Sequence, residues 1–310
     1  MIRGTVADGI PIMYSVAAVE SVVCMFGEHF AEQNRLVTIN TNIDDYSEMR
    51  ANGDLDGRVS TYYNMEHKCK IDSRGQLPFC GEYWTMLNNE MFGKYDELWD
   101  FQIENYGYFK YHGLGDKFRF KPLRYTTWFE RFRKEVHPQF DIQLECVVDS
   151  DIRATALRNL TDIPLAVDAD GNYFVTGERA RLNLTNTMDS EVKFAAKNNC
   201  RYGVDFPRYD CPCTHNTFRI FEYVCMNKPV LVWDKFNETS KLYFGDLCVY
   251  MKQSTAYDIN NAISETPRTD IAETFKQMTY SDSDYDKYRL DIVRDYADRT
   301  GAVIPDSVLW

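Results

Sequence analysis

The apolar positions along this chain recur at two different spacings. Short apolar or alternating runs are typical of strands, and apolar residues three or four positions apart are typical of helices. The runs that predict strands are Arg35–Asn40, Val59–Asn64, Glu97–Asp100, Lys117–Leu123, Phe140–Val148, a run beginning near Asn183, Val230–Trp233 and Leu247–Tyr250. The helical pattern covers Ala17–Gln33, Ile103–Gly113, Asp151–Asn159, the segment before Pro229, and stretches near Tyr257 and Lys287. Because strands and helices alternate, the pattern predicts an α/β fold with parallel sheets.

The length of the chain, 310 residues, favours two domains over one. A boundary near Val136–Gln139 separates two stretches of the same strand and helix pattern, which predicts domains at 1–136 and 137–310. Small ligands commonly bind in a cleft between two such domains. Neither half contains a glycine-rich phosphate loop of the G-x-G-x-x-G or Walker type, which argues against a nicotinamide dehydrogenase or a P-loop NTPase.

Charge and cysteine content narrow the class of protein further. The formal net charge of -12 disfavours a whole surface that binds nucleic acid or anionic lipid, because such surfaces are usually basic. The nine cysteines form no disulfide framework, and no signal peptide is recognised, so reduced thiols and a cytoplasmic location are expected. The most apolar stretch, Ile10–Phe26, contains Glu20 and is too short to span a bilayer comfortably. It is interpreted as a buried turn and helix, and no membrane partner is expected.

The segment His215–Trp233 carries the clearest functional signal. It predicts a helix that Pro229 ends, followed by a buried strand. Arg219 precedes Glu222 by three residues, and side chains at that spacing share one face of a helix. Ligands of open α/β sheets bind where helix N-termini meet the carboxyl ends of strands, so this face could meet a nucleotide diphosphate. The alternative is a surface ion pair of little energetic value.

The segment Lys117–Lys134 is basic and aromatic. Its seven basic residues and single acidic residue give it a local charge of +6, and aromatic residues alternate with the cations. Cations beside aromatic rings are what a groove for single-stranded nucleic acid or a flipped base requires. The alternative is that the cations mark the solvent face of a strand while the rings pack inward.

Several shorter patterns could also support chemistry. Glu66 and His67 directly follow one predicted strand and Asp100 ends another, which are positions suited to a general base, although strand-end carboxylates often serve as caps. Asp149 and Asp151 could bind a divalent cation, or Asp151 could cap a helix. The cysteines and histidine of Cys211–His215 have a spacing that zinc sites do not prefer, so no zinc site is predicted there.

Four segments resemble glycosyltransferases of the GT-B type, in particular CgeB-like and phage-encoded enzymes. YYNMEH, YDELWDFQIENYGYFKYHG and FRFKPLRY are similar to parts of the acceptor domain, and NTFRIFEYVCMNKPVLVW is similar to the donor-binding helix and strand. The spacing of Arg219 and Glu222 also resembles that of phage DNA β-glucosyltransferases. The resemblance implies two Rossmann-like domains whose parallel sheets face each other across a cleft.

The resemblance also implies roles for individual residues. Arg219 would contact the diphosphate and Glu222 the ribose, while Arg153 lies where a further phosphate-binding arginine would fall and Thr217 joins this donor-binding set. Thr214 stands where retaining GT-B enzymes often have a second glutamate, so the stereochemical outcome is left open. The stretch Asp189–Cys213 is longer than the family pattern and is interpreted as a donor lid or a loop, with no role for Arg201, Tyr202 or Arg208.

The expected activity is the transfer of a sugar from a nucleoside-diphosphate donor, uridine-based, to an acceptor hydroxyl. Arg219 and Arg153 would stabilise the leaving diphosphate without a tightly bound cofactor, and a divalent cation is left open. Glu66, His67 and Asp100, in that order, are the candidates for the base. A hydroxymethylated base of phage DNA fits the basic segment, in which case the location would be the host cytoplasm. A glycan, lipid or small molecule fits the net charge of -12. The alternative class is a non-catalytic module that binds nucleotide-sugars or proteins.

Overall fold

The structure is a computed structural model, and its description covers most of the chain. The described residues are 2–6, 10–14, 20–30, 34–39, 43–65, 90–145, 165–167, 173–175, 182–185, 189–205, 218–232, 237–251 and 268–310. Within them the chain divides into two compact units, one made of Met1–Trp128 with Ser281–Trp310 and the other of Phe129–Asp210 with Thr214–Tyr280.

Strands and helices alternate through both units, as the sequence predicts. The strands are β1 Ile2–Val6, β2 Ile10–Tyr14, β3 Arg35–Ile39, β4 Val59–Asn64, β5 Glu97–Asp100, β6 Phe118–Phe120, β7 Phe140–Glu145, β8 Leu165–Val167, β9 Tyr173–Val175, β10 Leu182–Thr185, β11 Cys200–Asp205, β12 Val230–Val232 and β13 Val249–Tyr250. The α-helices with defined ends are α1 Glu20–His29, α2 Ile43–Ala51, α3 Tyr106–Tyr111, α4 Ser190–Asn198, α5 Phe218–Cys225, α6 Asn237–Phe244, α7 Ile271–Thr279 and α8 Asp282–Thr300. Residues 90–94 are also helical. The helices predicted at Asp151–Asn159 and near Tyr257 lie outside the described residues.

The first unit is built on a six-stranded sheet whose strands follow chain order from β1 to β6. β1 and β2 pair antiparallel, and every later pair in this sheet is parallel. Helix α1 covers the sheet through Phe26, whose ring meets the Tyr63 ring edge-on at 4.6 Å. The α/β class and the parallel pairing predicted from the sequence are confirmed for this unit.

The last helix belongs to this first unit, although the sequence-based division places it in 137–310. The Tyr285 hydroxyl donates to the Pro122 carbonyl at 2.7 Å, and Arg289 Nε donates to the Phe120 carbonyl at 2.9 Å. Both contacts tie α8 to the end of β6. A single boundary in the sequence cannot describe a unit to which the chain returns. The element against which α8 packs depends on the fit of their apolar faces, and its position in the chain does not reveal that element.

The interpretation of Ile10–Phe26 as a buried turn and helix is wrong for its first part. Ile10–Tyr14 is strand β2, between β1 and β3, and only the part from Glu20 is helical. A short apolar run is compatible with a buried strand or a buried helix, and periodicity alone does not separate the two.

The polar stretch that follows β3 contains α2, whose first turn carries Asp44 and Asp45 and whose last turn carries Arg50. These charges complement the helix dipole.

The second unit is built on a five-stranded parallel sheet in the order β10-β7-β11-β12-β13. The chain begins this sheet at β7, adds β10 on one side of it and then adds β11 on the other side. The direction of winding therefore reverses beside β7. In open α/β sheets such a reversal opens a crevice at the carboxyl ends of the two flanking strands, and ligands bind there. The ends in question are those of β7 and β11.

The stretch Asp189–Cys213, interpreted from the sequence as a lid or loop, supplies the centre of this sheet. It contains α4 and β11, the strand that pairs with both β7 and β12. Asp189 is the N-cap of α4, and its carboxylate accepts from the Val192 backbone amide at 3.0 Å. An aspartate at such a position is a sequence signal for the start of a helix. The strand was missed because Arg201 and Gly203 interrupt its apolar pattern.

We expect Gly203→Ala to destabilise the protein by about 1 to 3 kcal/mol, because added atoms in a packed core force side chains to move. A Cβ atom at Gly203 would lie 2.6 Å from atoms of the Tyr223 ring. That ring is fully buried and its hydroxyl donates to the Gln143 carbonyl at 3.2 Å. Chemical denaturation measures the effect. Gly107→Ala in α3 is the control, because its Cβ meets nothing within 4 Å. Equal stability of the two variants would contradict this account.

Candidate functional site

Arg219 lies at the edge of the second sheet where the winding direction reverses. It is the second residue of α5, and its Nη1 donates to Oδ1 of Asp205 at 2.6 Å. Asp205 is the last residue of β11 and is 6% exposed, while Arg219 is 24% exposed. The carboxylate therefore fixes a partly exposed guanidinium at the carboxyl end of β11. A guanidinium presents five N–H donors in a planar arrangement that matches the oxygens of a phosphate.

Glu222 lies on the same helix but has different partners. Its side chain is 1% exposed, and its Oε1 accepts from Lys193 Nζ at 2.8 Å. Lys197 Nζ lies 3.4 Å from Oε2. Glu222 therefore links α5 to α4 through two lysines of α4. A surface ion pair, the alternative that the sequence left open, does not describe Glu222, because its side chain is buried.

The sequence interpretation missed three members of this cluster: Asp205, Lys193 and Lys197. All three lie in the stretch interpreted as a lid or loop. Two signals were present in the sequence. Lys193 and Lys197 are four residues apart, the spacing of one helix face, and Asp205 follows the apolar pair Gly203–Val204 at the end of a strand.

Four of the predicted site residues lie outside the described residues: Glu66, His67, Arg153 and Thr217. The same holds for the possible cation-binding pair Asp149 and Asp151, for Thr214, and for the cysteines and histidine of Cys211–His215. Their predicted roles stay predictions. Within the part of the chain that the structure describes, no group of three or more His, Cys, Asp or Glu side chains is arranged to hold a metal ion.

Asp100, the third candidate for the base, is part of a buried hydrogen-bond network. It is 0% exposed and ends β5. Its carboxylate accepts from Asn64 Nδ2 at 2.7 Å, from the backbone N–H of Gln102 at 2.8 Å and from Asn105 Nδ2 at 2.9 Å. These donors take up the oxygens, and no surface is left for an acceptor hydroxyl. The structure argues against Asp100 as the base and corrects that interpretation to a structural one.

The basic segment Lys117–Lys134 has most of its rings in the core. Phe118, Phe120, Tyr125, Phe129 and Phe132 are buried, and Trp128 is half-buried. In the first unit the Phe118 ring packs against Phe109, and in the second unit Phe132 stacks on Phe194 at 4.7 Å. Buried rings cannot stack on nucleic-acid bases. The inward-packing alternative is therefore correct for these rings, and the main argument for a nucleic-acid groove in this segment is lost.

One cation of this segment is unusual. Lys121 follows β6, and its Nζ lies 5.3 Å from the centroid of the Trp99 ring and 5.8 Å from that of Phe30. Burial, assisted by repulsion from Arg289, lowers the pKa of Lys121 to about 8. Lys121 therefore stays mostly charged at pH 7 and loses its charge at a lower pH than an ordinary lysine.

His29 gives the first unit a pH-dependent stability. Burial, followed by repulsion from Arg124, lowers the pKa of His29 to about 4 against the opposing attraction of Glu28 and Asp282. Its Nε2 lies 2.5 Å from the Tyr125 carbonyl oxygen. The unfolded chain binds a proton near pH 6.5, so the contribution of His29 is complete above that pH and is lost as the pH falls towards about 4.

We therefore expect His29 to account for about 2 to 3 kcal/mol of the stability lost between pH 6.5 and pH 4. Urea denaturation at a series of pH values tests this, with His29→Gln expected to show a shallower pH dependence than the wild type. His137→Gln is the control because His137 is exposed. Equal slopes in the wild type and His29→Gln would refute the assignment.

The comparisons with known proteins give likenesses among solved structures. No protein-family model matches the chain, and no curated protein matches it in sequence. The chain is similar to sucrose-phosphate synthase from Thermosynechococcus elongatus, at 11% identity and a TM-score of 0.47, over 92% of this chain and 78% of that one. It is also similar to Anabaena HepE, solved with UDP and glucose, at 11% identity and a TM-score of 0.46, over 87% of this chain and 78% of that one.

A third likeness is to the DNA-modifying enzyme β-glucosyltransferase, solved with and without uridine diphosphoglucose. The identity is 13% and the TM-score 0.40, over 86% of this chain and 81% of that one. None of these three likenesses assigns an activity or a residue role to this chain. Among the described residues, no helix combines the length and apolar character needed to cross a membrane.

Proposed function

We propose that this protein is a GT-B glycosyltransferase that transfers a sugar from a nucleoside-diphosphate donor, uridine-based, to an acceptor hydroxyl. The observation that carries the proposal is the guanidinium of Arg219, held by Asp205 at 2.6 Å at the carboxyl end of β11. This is the edge of a parallel sheet where nucleotides bind in open α/β folds. The similarity of the surrounding sequence to a donor-binding helix and strand supports the same assignment.

In this mechanism Arg219 acts on the leaving group. As the bond between the sugar and the diphosphate breaks, negative charge grows on the diphosphate oxygens. A guanidinium already held in position stabilises that charge without reorganising during the reaction. Asp205 is the positioning residue, because its ion pair fixes the guanidinium. Arg153 and Thr217 are proposed to add contacts to the phosphates.

The base is proposed to be Glu66 or His67, which follow β4 in the chain. Either residue would take the proton of the acceptor hydroxyl as the oxygen attacks the sugar. Asp149 and Asp151 are the proposed ligands if a divalent cation takes part. Assays with Mg²⁺, with Mn²⁺ and with a chelator decide whether it does.

The proposed acceptor is a glycan or a small molecule in preference to a DNA base. Two observations favour it. The net charge of -12 opposes a polyanion, and the aromatic rings of the basic segment are mostly buried. Binding to duplex DNA at two salt concentrations tests the choice. Tight binding that weakens strongly with salt would overturn it, since phosphate contacts release counterions.

The donor is tested by calorimetric titration with UDP and by hydrolysis of a panel of UDP-sugars. We expect binding of UDP and a slow hydrolysis of at least one UDP-sugar in the absence of acceptor. A protein that binds no nucleoside diphosphate would sink the proposal. Tight binding of UDP without turnover on any acceptor would instead identify a non-catalytic nucleotide-sugar-binding module.

A further inference from the structure

The carboxylate of Glu222 is shared by two lysines that differ in their freedom to move. Lys197 is 0% exposed, and its ammonium lies 3.9 Å from the centroid of the buried Tyr223 ring. Lys193 is 14% exposed and donates to Oε1 at 2.8 Å. Lys197 is therefore fixed in the core, whereas the flexible stem of Lys193 allows its ammonium to leave the carboxylate towards solvent.

Lys193 also lies at the edge of the sheet that carries Arg219. It is the fourth residue of α4, which follows the carboxyl end of β10, just as α5 follows the carboxyl end of β11. Arg219 and Glu222 are three residues apart on α5, which separates their Cβ atoms by about 5 to 6 Å. Arg219 therefore lies one helical turn from Glu222, the residue that accepts from Lys193, and each of the two cations pairs with a carboxylate.

We infer that Lys193 is a second diphosphate-binding residue, which leaves Glu222 for a phosphate oxygen when the nucleotide binds and thereby frees Oε1 of Glu222 for the ribose. The inference rests on the proposed function and deepens it. It also shows how a carboxylate that is 1% exposed in this structure can become a ligand for a ribose hydroxyl.

The exchange keeps every charge paired. The ammonium of Lys193 exchanges a carboxylate for a phosphate, and Glu222 keeps Lys197 at 3.4 Å. A buried carboxylate left without any cation would be strongly destabilising, so the fixed lysine is what permits the mobile one to move. The ribose hydroxyl then donates to the Oε1 atom that Lys193 has left.

The test compares UDP with uridine, which lacks the phosphates. Lys193→Met keeps the length of the side chain and removes the charge. We expect it to weaken UDP binding by about 10- to 100-fold, the effect of losing a charged hydrogen bond. Uridine binding should stay the same or become tighter, because Lys193 no longer competes with the ribose for Oε1. Lys193→Arg should recover UDP binding to within about 3-fold of the wild type, because it retains the cation.

The controls separate this inference from the function on which it rests. Lys241→Met removes a lysine of α6 that is 43% exposed and pairs with Glu238 at 3.4 Å, and it should change neither affinity. If the wild type binds no UDP, the proposed function and the inference both fail. If the wild type binds UDP and Lys193→Met binds it equally well, the inference alone fails.

Melting temperatures identify a variant that loses packing. Should Lys193→Met melt well below the wild type, Lys193→Gln replaces it, because its amide can still donate to Glu222 but carries no charge. An equal loss of UDP and uridine affinity in that variant would show a structural role and overturn the inference. Loss of UDP affinity alone supports it.

Discussion

Replacing Arg219 by alanine is expected to lower kcat/KM for a UDP-sugar by about 100-fold or more, the usual effect of removing a donor that stabilises developing negative charge. The guanidinium is the partly exposed cation at the end of β11, and its ion pair with Asp205 at 2.6 Å sets its position. Arg219→Lys should recover only part of the loss, because an ammonium cannot make the bidentate contacts of a guanidinium. Steady-state hydrolysis of the UDP-sugar that the wild type hydrolyses fastest gives kcat/KM for each variant. Calorimetric titration gives the affinity of each variant for UDP.

Arg201→Ala is the matched control for this prediction. Arg201 lies near the start of the same strand and pairs with Asp141 at 3.6 Å, with 33% of its side chain exposed. Loss of its charge at the amino end of β11 should leave kcat/KM unchanged. Equal activity of Arg219→Ala and Arg201→Ala would refute the role of Arg219, on which the proposed function rests.

Asp100→Ala is expected to destabilise the protein by about 3 to 5 kcal/mol, because buried donors that lose a charged acceptor keep their full desolvation cost. Asn64, Asn105 and the Gln102 amide all donate to this carboxylate. The Asp100 network joins β4 and β5 to the turn that follows, so its loss should lower the unfolding free energy of the first unit. Urea denaturation followed by circular dichroism measures the change.

Asp96→Ala provides the comparison for Asp100. Asp96 is exposed and accepts from the Ser60 amide and hydroxyl, both at 2.8 Å. Its removal should cost less, about 1 to 2 kcal/mol, because Asp96 is itself exposed and water can enter the space that its carboxylate leaves beside Ser60. A stable Asp100→Ala variant with lost turnover would restore Asp100 as a candidate base and refute the structural interpretation.

The sequence predicted strands well where their apolar residues are contiguous. Val59–Asn64 was predicted with its observed bounds, and Val230–Val232 lies within the predicted run. The helix before Pro229 was also predicted, and Asn227 ends it with a φ of 59°, a left-handed conformation that asparagine tolerates. These elements were accessible because local spacing and turn residues specify them.

The candidate site was only partly predictable. Arg219 was identified because helix spacing and its place before a buried strand are local properties. Its partner Asp205 lies 14 residues earlier, Glu222 is paired with Lys193 across 29 residues, and Asn64 meets Asp100 across 36. Neither the helix period nor the strand period relates residues at such separations.

The sequence by itself determined the α/β class, the parallel pairing and the helix that carries Arg219, because hydrophobic spacing is read along the chain. Only the tertiary structure decided that β11 is central, that α8 returns to the first unit, and that Asp100 and the rings of Lys117–Lys134 serve the core. Those outcomes depend on which apolar faces bury each other and in what order strands pair. That choice follows from the packing of the whole chain, and it placed two lysines from an unassigned stretch beside Glu222.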